Sequence, residues 1–259
     1  MGNAMLIAAI TIAIVMVGTW LLSLVLKNAS IVDIVWGLGF AITSWVLAAT
    51  VDGNSGRQTL LAVMVGLWGV RLGGYLAKRN IGHGEDWRYK AMRKKKGPKF
   101  GLISLVTVFG LQGTLMWVVS LPVMFGNGDA TPGVGPIAVM GICLWATGFA
   151  FESIGDLQLA KFKRNPDNAG KVMDQGLWSL TRHPNYFGDA LLWWGIGLVG
   201  AETGSGVIGL VGPLVMTVFL LRVSGVPMLE RSLMKRREGY ADYVARTSGF
   251  IPRPPKKLA

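Results

Sequence analysis

The residues best able to do chemistry lie in one stretch, 170–195, between two apolar runs. It reads GKVMDQGLWSLTRHPNYFGDALLWWG and is dense in charged and hydrogen-bonding groups. An unpaired charge beside lipid costs about 3 kcal/mol or more, so such groups lie there when they bind something. His183 precedes Pro184, which favours an extended approach to a helix whose N-terminus suits a phosphate or carboxylate. The candidate binding residues here are Lys171, Arg182, His183, Asn185, Tyr186, Asp189 and Trp193.

Segments on either side supply further charged groups. Glu152 and Asp156 stand four residues apart at the end of an apolar run, where acids oppose the helix dipole unless they are paired. Lys161 and Lys163 follow, and both could hold phosphates. A basic and aromatic segment near the C-terminus predicts an amphipathic helix on the membrane surface. Its candidate binding residues are Glu230, Tyr240 and Tyr243.

The N-terminal half holds a second set of polar residues inside apolar runs. Asp33 needs a partner or a proton there, and Trp36 follows it by one helical turn. The third apolar run carries a stripe of four residues on one helix face: Trp68, Arg71, Tyr75 and Arg79. This stripe predicts an anion site with a hydroxyl beside it. The alternative is a structural ion pair between Asp33 and Arg71, with Arg79 reaching towards the membrane edge.

Two more polar features, a glutamine in the fourth apolar run and a charged loop, could either bind a ligand or stabilise the fold. Gln112, in the fourth apolar run, is more typical of hydrogen bonding between helices than of a ligand contact. We keep it as a substrate candidate together with Trp36 and Trp68. The loop GHGEDWRY predicts a polar cluster that orders the loop or contacts a ligand. Its members are Glu85, Asp86, Arg88 and Tyr89.

Apolar helices must position these residues. The 259-residue chain is 51% hydrophobic and 15% charged, whereas a soluble domain usually has roughly 25% charged residues. We predict an all-α polytopic membrane protein, a single domain 1–259 with seven transmembrane helices and cytoplasmic cofactor-binding loops. The predicted spans are 5–26, 31–51, 59–77, 102–125, 134–153, 186–201 and 206–224. Cys143 has no second cysteine to pair with, and we expect no metal site.

Basic residues predict the orientation. Of 26 Lys and Arg, nine lie in 78–100, five in 154–185 and eight from 225 onward. The three short polar loops VDGNSGRQ, GNGDATPGVGP and AETGSG hold only Arg57. The positive-inside rule places these three segments in the cytoplasm. We therefore expect an inner-membrane protein with its N-terminus outside and its C-terminus cytoplasmic. The net charge of +12 then indicates contact with membrane lipid rather than nucleic acid, above all in the run KAMRKKKGPK.

Six segments together resemble the steroid 5α-reductase superfamily: NASIVDIVWG, VRLGGYLAKR, GEDWRY, DLQLAKFK, GLWSLTRHPNYFGDALLWWG and EGYADYVARTSGFIP. The resemblance is closest to a bacterial branch long described as a domain of unknown function, and it covers essentially the whole chain. RHPNYFG is shared with sterol reductases and isoprenylcysteine carboxyl methyltransferases. This motif is therefore typical of the superfamily rather than of one reaction.

The resemblance implies a seven-helix bundle that encloses NADPH, with the nucleotide bound by the C-terminal half. Positions that match cofactor contacts in the family are Asp156, Asn185 and Asp189, with Trp193 one turn on. Nearby candidates are Lys171, Arg182 and Tyr186. Arg71 and Arg79 look similar to arginines that reach the diphosphate or the 2′-phosphate.

The implied reaction is reduction of a carbon–carbon double bond conjugated to a ketone in a lipophilic, steroid-like molecule. Hydride attacks the β-carbon, and an acid must hydrogen-bond the carbonyl oxygen as it becomes negative. Steroid reductases use an acidic residue of span two and a tyrosine of span three. Asp33 matches the acid. Family spacing places the tyrosine near Trp68, and the hydroxyl available here is Tyr75.

Two alternatives belong to other classes. An S-adenosylmethionine-dependent methyltransferase shares the RHPNYFG-type turn, but a methyl donor has no phosphate to engage the many basic residues. A lipid-binding or transport protein is disfavoured by the lack of internal repeats. We expect the reductase to act as a monomer.

Overall fold

The fold is known from a computed structural model that describes residues 2–131, 134–202, 204–223 and 225–256. Within these ranges the chain forms helices and connecting turns, without strands. Six helical segments of the described residues are long and apolar enough to cross a membrane. They are Gly2–Leu26, Ile31–Thr50, Ser55–Asn80, Trp87–Val119, Pro136–Arg164 and Gly204–Arg236. The prediction of an all-helical membrane-type protein is therefore confirmed.

The remaining predicted span, 186–201, is also helical. It lies within Pro184–Ala201, a helix of 18 residues. This helix is not among the six apolar segments, because Asn185 and Asp189 lower the hydropathy of its first turns. The last residue of the span predicted at 206–224, Ser224, lies outside the described residues.

The chain divides into two compact units. The first comprises Met1–Val139 and Ile196–Gly212, and the second Met140–Gly195 and Pro213–Ala259. Within the first unit lie α1 (Gly2–Leu26), α2 (Ile31–Thr50), α3 (Ser55–Asn80), α4 (Trp87–Lys96), α5 (Phe100–Ser104), the π-helix Leu105–Gly110, α6 (Leu111–Val119), α7 (Leu121–Asn127) and the 3-10 segment Gly204–Leu210.

Helix α1 has a narrow buried face. Ala4, Ala8 and Ile12 recur every four residues and are almost fully buried, which lets the neighbouring helices approach closely. Leu6 and Ile14 lie on the other side and remain exposed. Large apolar side chains exposed along a 25-residue helix are expected where lipid, not water, is the neighbour.

Helices α2 and α3 pack closely against each other in the first unit. A Cβ atom added at Gly37 would lie 2.7 Å from the Gly69 carbonyl oxygen, and one added at Gly69 would lie 2.2 Å from the Gly37 oxygen. The two backbones therefore touch where both helices lack side chains. This contact fixes α2, which carries Asp33, against α3, which carries Arg71.

The second unit contains most of α8 (Pro136–Arg164), α9 (Leu177–Leu180), most of α10 (Pro184–Ala201) and α11 (Val211–Val218), the π-helix Phe219–Val223, α12 (Val226–Arg236) and α13 (Tyr240–Arg246). Helices α8 and α10 pack through glycines that recur every seven residues on each helix, Gly148 and Gly155 on α8 and Gly188 and Gly195 on α10. A Cβ at Gly148 would meet the Leu192 nitrogen at 2.5 Å, and one at Gly188 would meet the Glu152 nitrogen at 2.4 Å. This approach brings Asp156 of α8 next to the first turn of α10.

Candidate functional site

The first unit assembles a polar cluster around Asp33. Arg88 Nη2 donates to Asp33 Oδ2 at 2.6 Å, and the Tyr89 hydroxyl donates to Asp33 Oδ1 at 2.7 Å. Gln112 Nε2 in turn donates to the Tyr89 oxygen at 3.2 Å. The carboxylate that the sequence marked as costly is thus an acceptor for two donors from α4, and it is tied to α6 through Tyr89.

Two acids of the preceding loop place α4 for these contacts. Asp86 caps α4 by accepting from the Arg88 amide at 2.9 Å, and its carboxylate also accepts from Arg88 Nε at 2.9 Å. Glu85 accepts from Arg93 through both oxygens and from the Ala29 amide at 2.8 Å. Burial alone would raise the pKa of Glu85, but the donors Arg93 and Ala29 lower it below its ordinary value. Burial alone would also raise the pKa of Asp86, but the hydrogen bonds from the Arg88 side chain and amide lower it below its ordinary value.

The predicted loop cluster is therefore present, and it also includes Asp33. The tyrosine beside Asp33 is Tyr89 of α4. Tyr75, the hydroxyl that the sequence favoured for this role, lies on α3 four residues after Arg71. The signal for Tyr89 was available in the sequence, because Asp86 is a good N-cap and places Arg88 and Tyr89 in the first turn of a short helix.

Aromatic side chains of α2 and α3 pack against one another. Trp36 and Phe40 meet edge to face with ring centroids 5.2 Å apart, and Phe40 meets Trp68 in the same way at 5.5 Å. Trp68 is fully buried. Two of the three substrate candidates therefore join one aromatic cluster, and the third, Gln112, joins the Asp33 cluster. On α3, Arg79 is more exposed and donates to the Asn80 side chain at 3.0 Å.

The second unit contains a separate charged network around Glu230 of α12. Glu230 Oε1 accepts from Arg182 Nε at 2.7 Å and lies 3.0 Å from His183 Nε2. Arg182 also donates to the Val244 and Thr247 carbonyl oxygens at 3.2 and 2.6 Å. Arg182 therefore joins the turn before α10 to α12 and to the end of α13.

The remaining candidates of the 170–195 stretch line the first turns of α10. Asn185 Nδ2 donates to Asp156 Oδ1 at 3.1 Å, and Asp156 is buried. The Tyr186 ring stacks on the His183 ring at a centroid distance of 5.4 Å. Asp189 and Trp193 follow on α10, and Trp193 is fully buried.

A cavity of about 250 Å³ opens beside this network, within the second unit. Among the described residues that line it, four are basic and none is acidic. The basic residues are Lys163, Lys171, Arg182 and Arg237. Trp178, Tyr240 and Tyr243 add aromatic surface. A cavity with cationic and aromatic walls suits an anion that carries a flat ring.

The two tyrosines of this cavity meet edge to face, with ring centroids 5.8 Å apart. Tyr243 donates its hydroxyl to the Trp178 carbonyl oxygen at 2.5 Å, and Trp178 Nε1 donates to the Gly155 oxygen at 3.0 Å. Burial, together with the nearby Glu230 carboxylate, raises the pKa of Tyr240 to about 12. Burial likewise raises the pKa of Tyr243 above its usual range. Both hydroxyls therefore remain protonated donors at neutral pH.

Five predicted cofactor residues thus share one cavity: Lys163, Lys171, Arg182, Tyr240 and Tyr243. Lys161 lies on the same helix as Lys163 but lines a different cavity, with Gln158 and Gln175. Sequence reasoning missed Arg237. It was one of many basic residues in the tail, and no local pattern marked the one that turns towards α8.

Comparison with known proteins supplies independent information. Over 69 residues the chain is 39% identical to a protein named "Probable O-methyltransferase ustE" from Ustilaginoidea virens. That match covers 27% of this chain and 24% of the other protein, so the chain spans about a quarter of its relative's length. No solved structure matches the chain. The family described as "Protein of unknown function (DUF1295)" matches residues 19–247, which is most of the chain, and the protein belongs to this family.

Proposed function

We propose that this protein is a membrane reductase that binds NADPH in the basic cavity of its second unit. Its substrate would be a lipophilic molecule with a carbon–carbon double bond conjugated to a ketone. The observation that carries the proposal is the lining of that cavity, whose described residues include four cationic side chains and no carboxylate. A diphosphate with a 2′-phosphate needs several cations, whereas the sulfonium of S-adenosylmethionine is itself a cation.

The cavity residues divide into two groups. Arg182 is already bound to Glu230 and to two backbone oxygens, so it shapes the cavity wall and contributes charge. Lys171 and Arg237 have no ion pair within the described ranges, which leaves them available to a ligand phosphate. The Trp178 and Tyr243 rings offer apolar surface to a base. The residues present therefore fit a nucleotide that carries phosphates.

The Asp33 cluster of the first unit offers a donor of the kind that this reaction needs. When bound, NADPH supplies the hydride. Negative charge then develops on the substrate carbonyl oxygen, which needs a placed hydrogen-bond donor. The Tyr89 hydroxyl donates its one proton to Asp33, so this proton would turn to the substrate oxygen while Gln112 continues to donate to the phenol oxygen. We assign Tyr89 this donor role, with Asp33 as the group that holds its proton before the substrate binds, and Tyr75 is the alternative donor.

The proposal includes a topology. Six apolar segments and the 18-residue helix α10 give seven crossings of the inner membrane, with the N-terminus outside and the C-terminus cytoplasmic. The distribution of basic residues supports this orientation. The cavity residues Lys163, Lys171 and Arg237 then belong to cytoplasmic segments, where NADPH is present. We propose that the protein acts as a monomer.

A methyltransferase is the second candidate, because the 39% identity over 69 residues is to a probable O-methyltransferase. One experiment separates the two candidates. The full chain, purified in detergent, is heated with NADPH, NADH or S-adenosylmethionine, because a ligand that binds only the folded state raises its stability. We expect NADPH to raise the unfolding temperature most, and S-adenosylmethionine to leave it unchanged. A shift with S-adenosylmethionine alone would contradict the reductase and support the methyltransferase.

A further inference from the structure

The first unit carries a charged surface that the proposed reaction does not use. Six of the ten residues of α4 are basic. Two of them are neutralised within the unit, Arg88 by Asp33 and Asp86, and Arg93 by Glu85. The other four are exposed lysines: Lys90, Lys94, Lys95 and Lys96. Helix α4 therefore keeps a large uncompensated positive charge.

Part of this charge borders a defined groove. An open groove of about 540 Å³ is lined by Lys90, Arg93, Lys94, Gly97, Pro98 and Gly101. The Lys90 and Lys94 side chains make no hydrogen bond or ion pair with any residue of the described ranges, although the Glu85 carboxylate attracts the charge of Lys90. Arg93 is fixed in place by both oxygens of Glu85 and by the Phe100 ring, whose centroid lies 4.6 Å from its guanidinium. Thus three cations, Arg93 held by Glu85 and the more mobile side chains of Lys90 and Lys94, border a groove whose described lining residues include no acid.

Exposed apolar side chains are close in sequence to the residues that line the groove. Trp87 lies three residues before Lys90 on the same face of α4 and is 64% exposed. Leu102 follows Gly101 at the start of the apolar run and is 72% exposed. A tryptophan next to lysines is typical of the headgroup level of a membrane, and an exposed leucine beyond them suits acyl chains. The groove thus passes from cationic to apolar surface over a short distance.

We propose that this groove binds the headgroup of an anionic phospholipid. The phosphate lies between Lys90 and Lys94, Trp87 packs at the level of the glycerol, and the acyl chains run along the helix that contains Leu102. A free phosphate would use the lysines but gain nothing from the apolar residues. The site shares no residue with the cavity of the second unit, and neither lysine has a role in the reaction proposed above.

Native mass spectrometry of the full chain in detergent tests the proposal. Phosphatidylglycerol and phosphatidylcholine with the same acyl chains are added to the wild type and to two double variants. K90A/K94A removes the lysines of the groove, while K95A/K96A removes the same charge from exposed positions of α4 outside it. Each lysine near a lipid surface contributes about 1 kcal/mol, so K90A/K94A should weaken phosphatidylglycerol binding about thirtyfold. The K95A/K96A variant should stay close to the wild type.

Several outcomes would overturn the site. Equal loss in both double variants would mean a diffuse attraction to charge rather than binding in the groove. If the wild type bound phosphatidylcholine and phosphatidylglycerol equally well, the charge of the headgroup would not determine binding. Competition by millimolar inorganic phosphate that displaces the lipid fully would identify an anion site instead. Because all four lysines are exposed, both variants should unfold at the wild-type temperature, which checks that folding is intact.

Discussion

At the scale of single residues, Tyr89 is held from two sides. Its hydroxyl donates to Asp33 and accepts from Gln112, and its ring is buried. These contacts keep the phenol oxygen in one place, and a donor to a developing oxyanion must be placed in advance. Arg88 binds the same Asp33 carboxylate, so this carboxylate keeps a cationic partner when, in the reaction that we propose, the Tyr89 proton turns to the substrate oxygen.

We predict that Y89F lowers kcat much more than Y75F does. Loss of a placed donor to an oxyanion typically costs about 100- to 1,000-fold in kcat. The measurement is NADPH oxidation by the detergent-purified protein with a 4-en-3-one steroid as the probe substrate. Asp33→Asn serves as a companion variant, and it should lower kcat while the affinity for NADPH stays unchanged. The reverse order, with Y75F the more damaging change, would assign the donor to α3 and contradict the role given to Tyr89.

The sequence identified Asp33 because a carboxylate inside an apolar run is costly without a partner. It did not identify that partner, because Arg71 and Arg88 are equally plausible when only the sequence is known. The choice depends on the turn that places α4, and this turn depends on contacts distant in sequence, such as that of Glu85 with the Ala29 amide.

At the scale of helices, glycines decide how closely neighbours approach. Gly37 and Gly69 allow α2 and α3 to touch through their backbones, and Gly148 and Gly188 do the same for α8 and α10. Such contacts stabilise helix pairs in a membrane, where burial of apolar surface no longer distinguishes protein from lipid. The positions of Asp33 and Asp156 depend on these two contacts.

Two glycine variants of α3 should therefore behave differently. In G69A the new methyl group would lie 2.2 Å from the Gly37 oxygen, so α3 must move away from α2. Overpacking of this kind costs about 1–3 kcal/mol, and we expect a clear fall in the unfolding temperature. In G74A nothing lies within 4 Å of the new methyl group, and the gain in helix propensity should leave the temperature equal or higher. Equal unfolding temperatures for the two variants would contradict the close contact of α2 and α3.

Helix positions followed well from hydropathy. The predicted spans 5–26 and 31–51 correspond to Gly2–Leu26 and Ile31–Thr50. The helix that contains the span predicted at 134–153 continues to Arg164. Its last turns are polar, so hydropathy marks the end of the apolar run and not the end of the helix. The glycine contacts could not be predicted, since a glycine in an apolar run does not reveal which helix it faces.

At the scale of the whole molecule, the described residues combine six apolar segments with two polar centres of different character. One is the Asp33 cluster, to which we assign the donor of the proposed reaction. The other is a cavity with cationic walls, and no acid is among the described residues that line it. Composition alone predicted a membrane protein and a basic region. Which basic residues share a cavity depended on the fold of the tail onto α8, which periodicity does not determine.

The affinity for NADPH, measured by isothermal titration calorimetry on the detergent-purified chain, tests the central claim most directly. K163A/K171A removes two cavity cations, and the control R231A/K235A removes two exposed cations of α12 outside the cavity. A hydrogen bond to a charged group contributes about 1.5–3 kcal/mol, so K163A/K171A should weaken NADPH binding by about a hundredfold or more, and R231A/K235A by less than about threefold. Equal affinities in wild type and K163A/K171A, or tight binding of S-adenosylmethionine with none of NADPH, would contradict the assignment of this cavity to NADPH.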